Sequence, residues 1–118
     1  MGAVAIETYN AQLMAIANYE NAGQLKHLLR NYNNLYGLSQ RGDGVAQSIY
    51  IDLKTALEAN ALTDLQALYI REHLIEGMSL EYLSNFYGVK RASVADSVKR
   101  GLSNLQKVLQ GGNLYARS

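Results

Sequence analysis

Arg91, Ala92, Ser93, Asp96, Lys99 and Arg100 fall on one side of a helix whose other side carries Val94, Val98, Leu102 and Leu105. Lys90 stands just before them. Such a face can meet base edges and phosphates of a nucleic acid. Arg91 has two uses there, a bidentate contact with guanine or a grip on phosphate, and Ser93 can serve either purpose. Ala92 is small enough to let the helix approach and can meet a thymine methyl. Lys99 and Arg100 lie about two turns on, where backbone contact is commoner than base contact. Asp96 repels phosphate unless it accepts from cytosine N4 or pairs with Lys99 or Arg100.

The other chemistry-bearing residues form no comparable set. His27 and His73 are the only histidines, in separate helices, with no carboxylate partner evident in sequence. Arg41-Gly42-Asp43-Gly44 lacks the flanking strand and the lysine of a phosphate-cradling loop. Glu72 and Glu76 are an i, i+4 pair that reads as a solvated helix face. No metal-ligand spacing is present, and without cysteine there is neither a disulfide framework nor a thiolate site. The chain therefore does not read as an enzyme, and no cofactor or metal is expected.

The elements that must position the face can be read from periodicity. The last helix runs from Lys90 or Arg91 to about Leu109, with Gly111 and Gly112 stopping it. Ahead of it, Ser79 can cap a helix from Leu80 to Tyr87 that buries Leu80, Leu83 and either Phe86 or Tyr87. Gly88 lies where the short turn needs positive φ, and Val89 is expected to plug the angle between the two helices. Thr63 and Gln66 match a capping box. The helix they open runs to about Glu76, with Leu65, Leu68, Tyr69 and Leu74 or Ile75 inward and Gly77 as its left-handed end. Val45 to Ala59 is a helix with Ala46, Ile49, Tyr50, Leu53 and Leu57 on one face. Gly37 to Gly44 is the clearest loop.

Residues 3–35 read as helix in two pieces, with Ile6, Tyr9, Leu13, Ile16 and Ala17 on one face. Leu25, Leu28, Leu29, Tyr32, Leu35 and Tyr36 continue the period. Gly23 is either the break or a glycine tolerated within one helix. The expected class is all-α, a C-terminal helix-turn-helix preceded by N-terminal amphipathic helices. The organisation reads as residues 1–44 (helical segment and glycine-rich loop), 45–110 (helix-turn-helix domain) and 111–118 (tail).

Hydrophobic content of 48% supports a real core. Net charge is only +1, but it is unevenly spread. From Ser79 onward six basic residues face Glu81 and Asp96, a net +4, whereas residues 1–78 carry five basic and eight acidic residues, a net −3. A basic end on an acidic body suits a chain that meets phosphate at one end only. Nine tyrosines are many for 118 residues. Tyr9, Tyr32, Tyr36, Tyr50, Tyr69, Tyr82 and Tyr87 lie beside apolar neighbours at helical spacing, so they read as core filling with the hydroxyl at the rim. No apolar run reaches about 18 residues, so no membrane contact is expected. Met1 to Ile6 is short and lacks the basic region of a signal peptide. A cytoplasmic location is the expectation.

Several segments occur together at one family's spacing: Leu62-Thr63 with Leu68 and Tyr69, then Glu76-Gly77-Met78-Ser79, then Gly88-Val89-Lys90-Arg91, then Leu102 and Leu105. Together they resemble region 4 of bacterial sigma factors, in the version found in small phage regulators of the ArpU-like and positive-control-factor types. The resemblance covers roughly forty-five residues. It departs from the family at Asp64, often proline there, at Leu65 and Ala67, which replace charges, at Asp96 and Ser97, and at Gly101, where alanine is usual. Nothing resembles sigma region 2, so a complete sigma factor is not expected. What the resemblance implies is a promoter-region binder of double-stranded DNA, with Ser79, Lys90, Arg91, Ala92, Ser93, Asp96, Lys99 and Arg100 at the interface. RNA polymerase is a further implied partner. The N-terminal Tyr/Leu stripe suits homo-oligomerisation, and intramolecular packing explains it equally well. Two alternatives stand beside a transcription regulator. One is a DNA-packaging protein like a terminase small subunit, and the other is a protein-interaction module on the same fold.

Overall fold

The computed structural model describes residues 22–111. The expected face of Ile6, Tyr9, Leu13, Ile16 and Ala17 and the tail from residue 112 lie outside them. The described residues form six α-helices and no strand. These are α1 (Ala22–Arg30), α2 (Tyr32–Gln40), α3 (Gly44–Glu58), α4 (Asp64–Ile70), α5 (Leu80–Tyr87) and α6 (Arg91–Gly111). A wide π-helical turn, Arg71–Ile75, prolongs α4. No helix among the described residues is long and apolar enough to cross a membrane.

Local chemistry sets the boundaries. α1 and α2 part at Asn31, whose side-chain amide donates to the His27 carbonyl at 2.8 Å and competes with the backbone ladder. Gly23 sits inside the first turn of α1. The loop expected over Gly37 to Gly44 shrinks to residues 41–43. Helical spacing carries Tyr32, Leu35 and Leu38 into the core, and that burial outweighs the roughly 1 kcal/mol cost of a glycine at position 37. Asp43 then caps α3, accepting from the Ala46 N–H at 3.0 Å. Thr63 and Gln66 form the expected capping box, at 3.1 and 3.2 Å. Gly77 closes the π turn with positive φ, and the Met78 N–H reaches back to the Glu72 carbonyl.

One hydrophobic cluster draws on all six helices, and its buried side chains are aliphatic apart from Tyr32 and Tyr69. Leu25, Leu28, Leu29, Leu35, Leu53, Ile70, Leu74, Leu83, Val94 and Leu105 are shut off from solvent. Helices α1, α3, α4 and α5 all touch α6, so the long helix is held from several sides.

Two inward expectations are corrected. Leu65 is 51% exposed, because Gln66 and Ile70, not Leu65, are the residues of α4 that meet α6 at Gly101. Val89 does not plug the interhelical angle: it is 38% exposed, and fully buried Leu83 and Val94 fill the space instead. The tyrosines divide. Tyr32 and Tyr69 are buried, Tyr50 and Tyr87 are half-buried, and Tyr36 and Tyr82 are largely outside. Burial, then a hydrogen bond to Tyr50, raises the Tyr32 phenol above its ordinary range.

Candidate nucleic-acid interface

The surface is built on α5, a turn over residues 88–90, and α6. Ser79 opens α5 by accepting from the Tyr82 N–H at 2.9 Å. Capping uses the hydroxyl oxygen as an acceptor, and its O–H still faces outward from an exposed residue with a proton to donate. Leu83 is the fully buried anchor of α5. Of the two candidates at its end, Tyr87 turns inward. Its ring meets Tyr69 edge-on at 5.6 Å, and its hydroxyl donates to Glu72. That hydrogen bond, with some desolvation, pushes the Tyr87 phenol up to about 12.

The turn is tight. Gly88 adopts φ 67° and ψ 34°, a left-handed conformation that costs a side-chain-bearing residue energy. The Val89 N–H bonds back to the Ser84 carbonyl at 3.0 Å, and Ser84 Oγ donates to the Val89 carbonyl at 2.6 Å. The Lys90 carbonyl accepts from the Ser93 and Val94 N–H groups, which starts α6 directly after the turn. The mainchain of the turn is thus fixed from both ends.

Lys90, Arg91, Ala92, Ser93, Asp96, Lys99 and Arg100 are all exposed. Val94, Val98, Leu102 and Leu105 are buried, and Ala92, Ser93, Asp96, Lys99 and Arg100 lie opposite them. Arg91, three residues before Val94 and seven before Val98, is instead in register with the buried side and is exposed in the first turn of α6. Asp96 Oδ2 pairs with Arg100 Nε at 2.9 Å. The other cations at this surface, Lys90, Arg91, Lys99 and Lys107, hold no ion pair among the described residues.

Two features were not anticipated from sequence. Lys26 of α1 lines the same groove as Lys99 of α6, a cleft of about 400 Å³ with Val98 and Leu102 at its base. It belongs to the acidic part of the chain by sequence, and only the packing of α1 on α6 brings it here; no sequence signal marks it. The second is an aromatic pair on α5. Tyr82 and Phe86 are 50% and 66% exposed and stack at 5.9 Å. Their i, i+4 spacing was legible, but their outward direction follows from the choice of Tyr87 as the inward ring.

His73 has a structural role: Nδ1 donates to the Met78 carbonyl at 2.6 Å and braces the turn before α5. Among the described residues, no group of three or more His, Asp or Glu is placed to hold a metal ion. No family model, curated protein or solved structure matches the chain.

Proposed function

We propose that this chain is a sequence-specific, double-stranded-DNA-binding transcription regulator of phage or mobile-element type, acting in the cytoplasm. Its α5–turn–α6 unit serves as a helix-turn-helix similar to sigma region 4. The observation that supports this best is the outer face of α6. It presents Lys99 and Arg100 in the open, with Lys90 and Arg91 exposed at its N-terminal end, while its inner face is locked by Val94, Val98, Leu102 and Leu105. A protruding helix of this kind fits the roughly 12 Å major groove. In the mechanism, the first turns of α6 enter the groove and α5 crosses the backbone. Arg91 and Ser93 meet bases or phosphates, and Lys90 and Lys99 neutralise phosphate. RNA polymerase and a second copy of the chain are proposed as protein partners.

The test is a fluorescence-anisotropy titration of the full chain with random and selected duplexes at two salt concentrations. Affinity is expected to fall steeply with salt, because each displaced counterion contributes a slope of about 0.9. Arg91→Glu is expected to abolish binding and leave the helical signal intact. Retained binding in that variant would remove α6 from the groove.

A protein-interaction module is the second reading, favoured by the exposed Tyr82–Phe86 stack on α5. Under it, no duplex binds even at low salt.

A further inference from the structure

Resting on the DNA-binding reading above, we propose that Arg100 reads a guanine and that Asp96 is its positioning residue, so that the pair specifies one G·C base pair of the site. The register of α6 comes first. Val94, Val98, Gly101, Leu102 and Leu105 form its buried seam. At 3.6 residues per turn, Asp96 falls opposite that seam, in the middle of the outward face. It is the only carboxylate in the 21 residues of the helix. A lone negative charge at that point repels phosphate and weakens any purely electrostatic grip. Stability is a poor reason for it. The pair is open to solvent, with side-chain exposures of 72% for Arg100 and 55% for Asp96, and such pairs contribute little.

The geometry of the pair supplies a better reason. Asp96 Oδ2 binds Arg100 through Nε at 2.9 Å. That contact restrains the guanidinium through Nε, and the two terminal nitrogens carry the donors that a base edge would take. Two parallel donors match guanine O6 and N7, the commonest specific contact in the major groove. The i, i+4 link also directs the guanidinium toward the N-terminal end of α6, the end that enters the groove. Arg100 is thereby moved from the region of backbone contacts toward the bases. Holding the side chain in advance also lessens the entropy lost on binding.

The experiment uses the full chain and a duplex selected from a random library by the wild-type protein. Wild type, Asp96→Ala, Arg100→Lys and Arg100→Ala are titrated against this duplex, its single-base-pair variants and a random duplex. Wild type is expected to prefer G·C at one position by about tenfold or more. Asp96→Ala and Arg100→Lys are both expected to lose that preference, at that position alone. Asp96→Ala should bind the random duplex at least as tightly as wild type, since a repulsive charge is gone. Arg100→Lys keeps the charge but not the planar fork, so its affinity for random duplex should hold. Preference retained in Asp96→Ala would overturn the positioning role. Preference retained in Arg100→Lys, or an even loss across all sequences in Arg100→Ala, would make Arg100 a phosphate contact. If wild type binds no duplex at low salt, the DNA-binding reading falls and this proposal with it. That result is distinct from a wild type that selects a site the variants leave unchanged, which overturns the proposal alone. Both positions are exposed, and unchanged thermal melting of each variant excludes unfolding as the cause.

Discussion

Gly101 of α6 packs against Ile70 of α4 so closely that a methyl group on the glycine would stand 2.6 Å from Ile70 Cδ1. The neighbouring space is closed as well, with Gln66 Cβ at 3.2 Å and Ile70 Cγ1 at 3.4 Å. Gly101→Ala sets about 1 kcal/mol of helix propensity against an overpacking cost of about 1–3 kcal/mol. Ile70 is fully buried and has little room to retreat, so a net loss of about 1 kcal/mol is expected in urea unfolding. Ile70→Val removes the offending methyl. Gly101→Ala should cost less in that background, and equal costs in the two backgrounds would remove the contact as the explanation.

Ser79 separates capping from nucleic-acid contact. Ser79→Ala loses the bond to the Tyr82 N–H and should lower stability by about 1 kcal/mol. Ser79→Asp keeps a good cap, so its melting should match wild type. If α5 lies along the DNA backbone, the new charge should still weaken duplex binding. Unchanged affinity in Ser79→Asp would move the backbone contact away from the start of α5.

Lys26 tests whether the basic surface reaches beyond α6. It shares a groove with Lys99, so phosphate that meets one can meet the other. Lys26→Ala is expected to weaken selected and random duplexes by the same factor and to lower the salt slope by about one. A loss confined to one sequence would point to base contact instead.

Tyr87 gives a pH signature. Its phenol is pushed up to about 12 by the hydrogen bond to Glu72, from an ordinary value near 10. A raised value means that the folded state holds the proton more tightly than the unfolded chain. The contribution is complete below about pH 10 and is lost as pH rises toward 12. Tyr87→Phe should therefore be less stable than wild type at neutral pH, and the gap should close across that alkaline range. A constant gap in melting temperature would show that the hydrogen bond to Glu72 is not its source.

Much of the local structure was legible in the sequence. Thr63 with Gln66, Ser79 before α5 and Gly88 in the turn are short-range chemistry, since each bond closes within a few residues. The buried side of α6 was equally legible, because Val94, Val98, Leu102 and Leu105 repeat at the helical period. Those positions carried the candidate face with them.

What the sequence left open depends on neighbours far along the chain. Leu65 and Val89 are apolar at plausible spacing, yet both lie outside, because Ile70 against Gly101 and Leu83 with Val94 occupy the interior. Gly101 stands in sequence only as a departure from the usual alanine, and in the fold it is the point where two helices meet. The glycine-rich stretch from Gly37 continues α2, since Leu35 and Leu38 have a core to enter. Lys26 comes to the side of Lys99 only through the packing of α1 on α6. Periodicity shows that a helix has an inner side. Which residue at the edge of that side is covered is decided by the shape of the partner, and that exists only once the chain has folded.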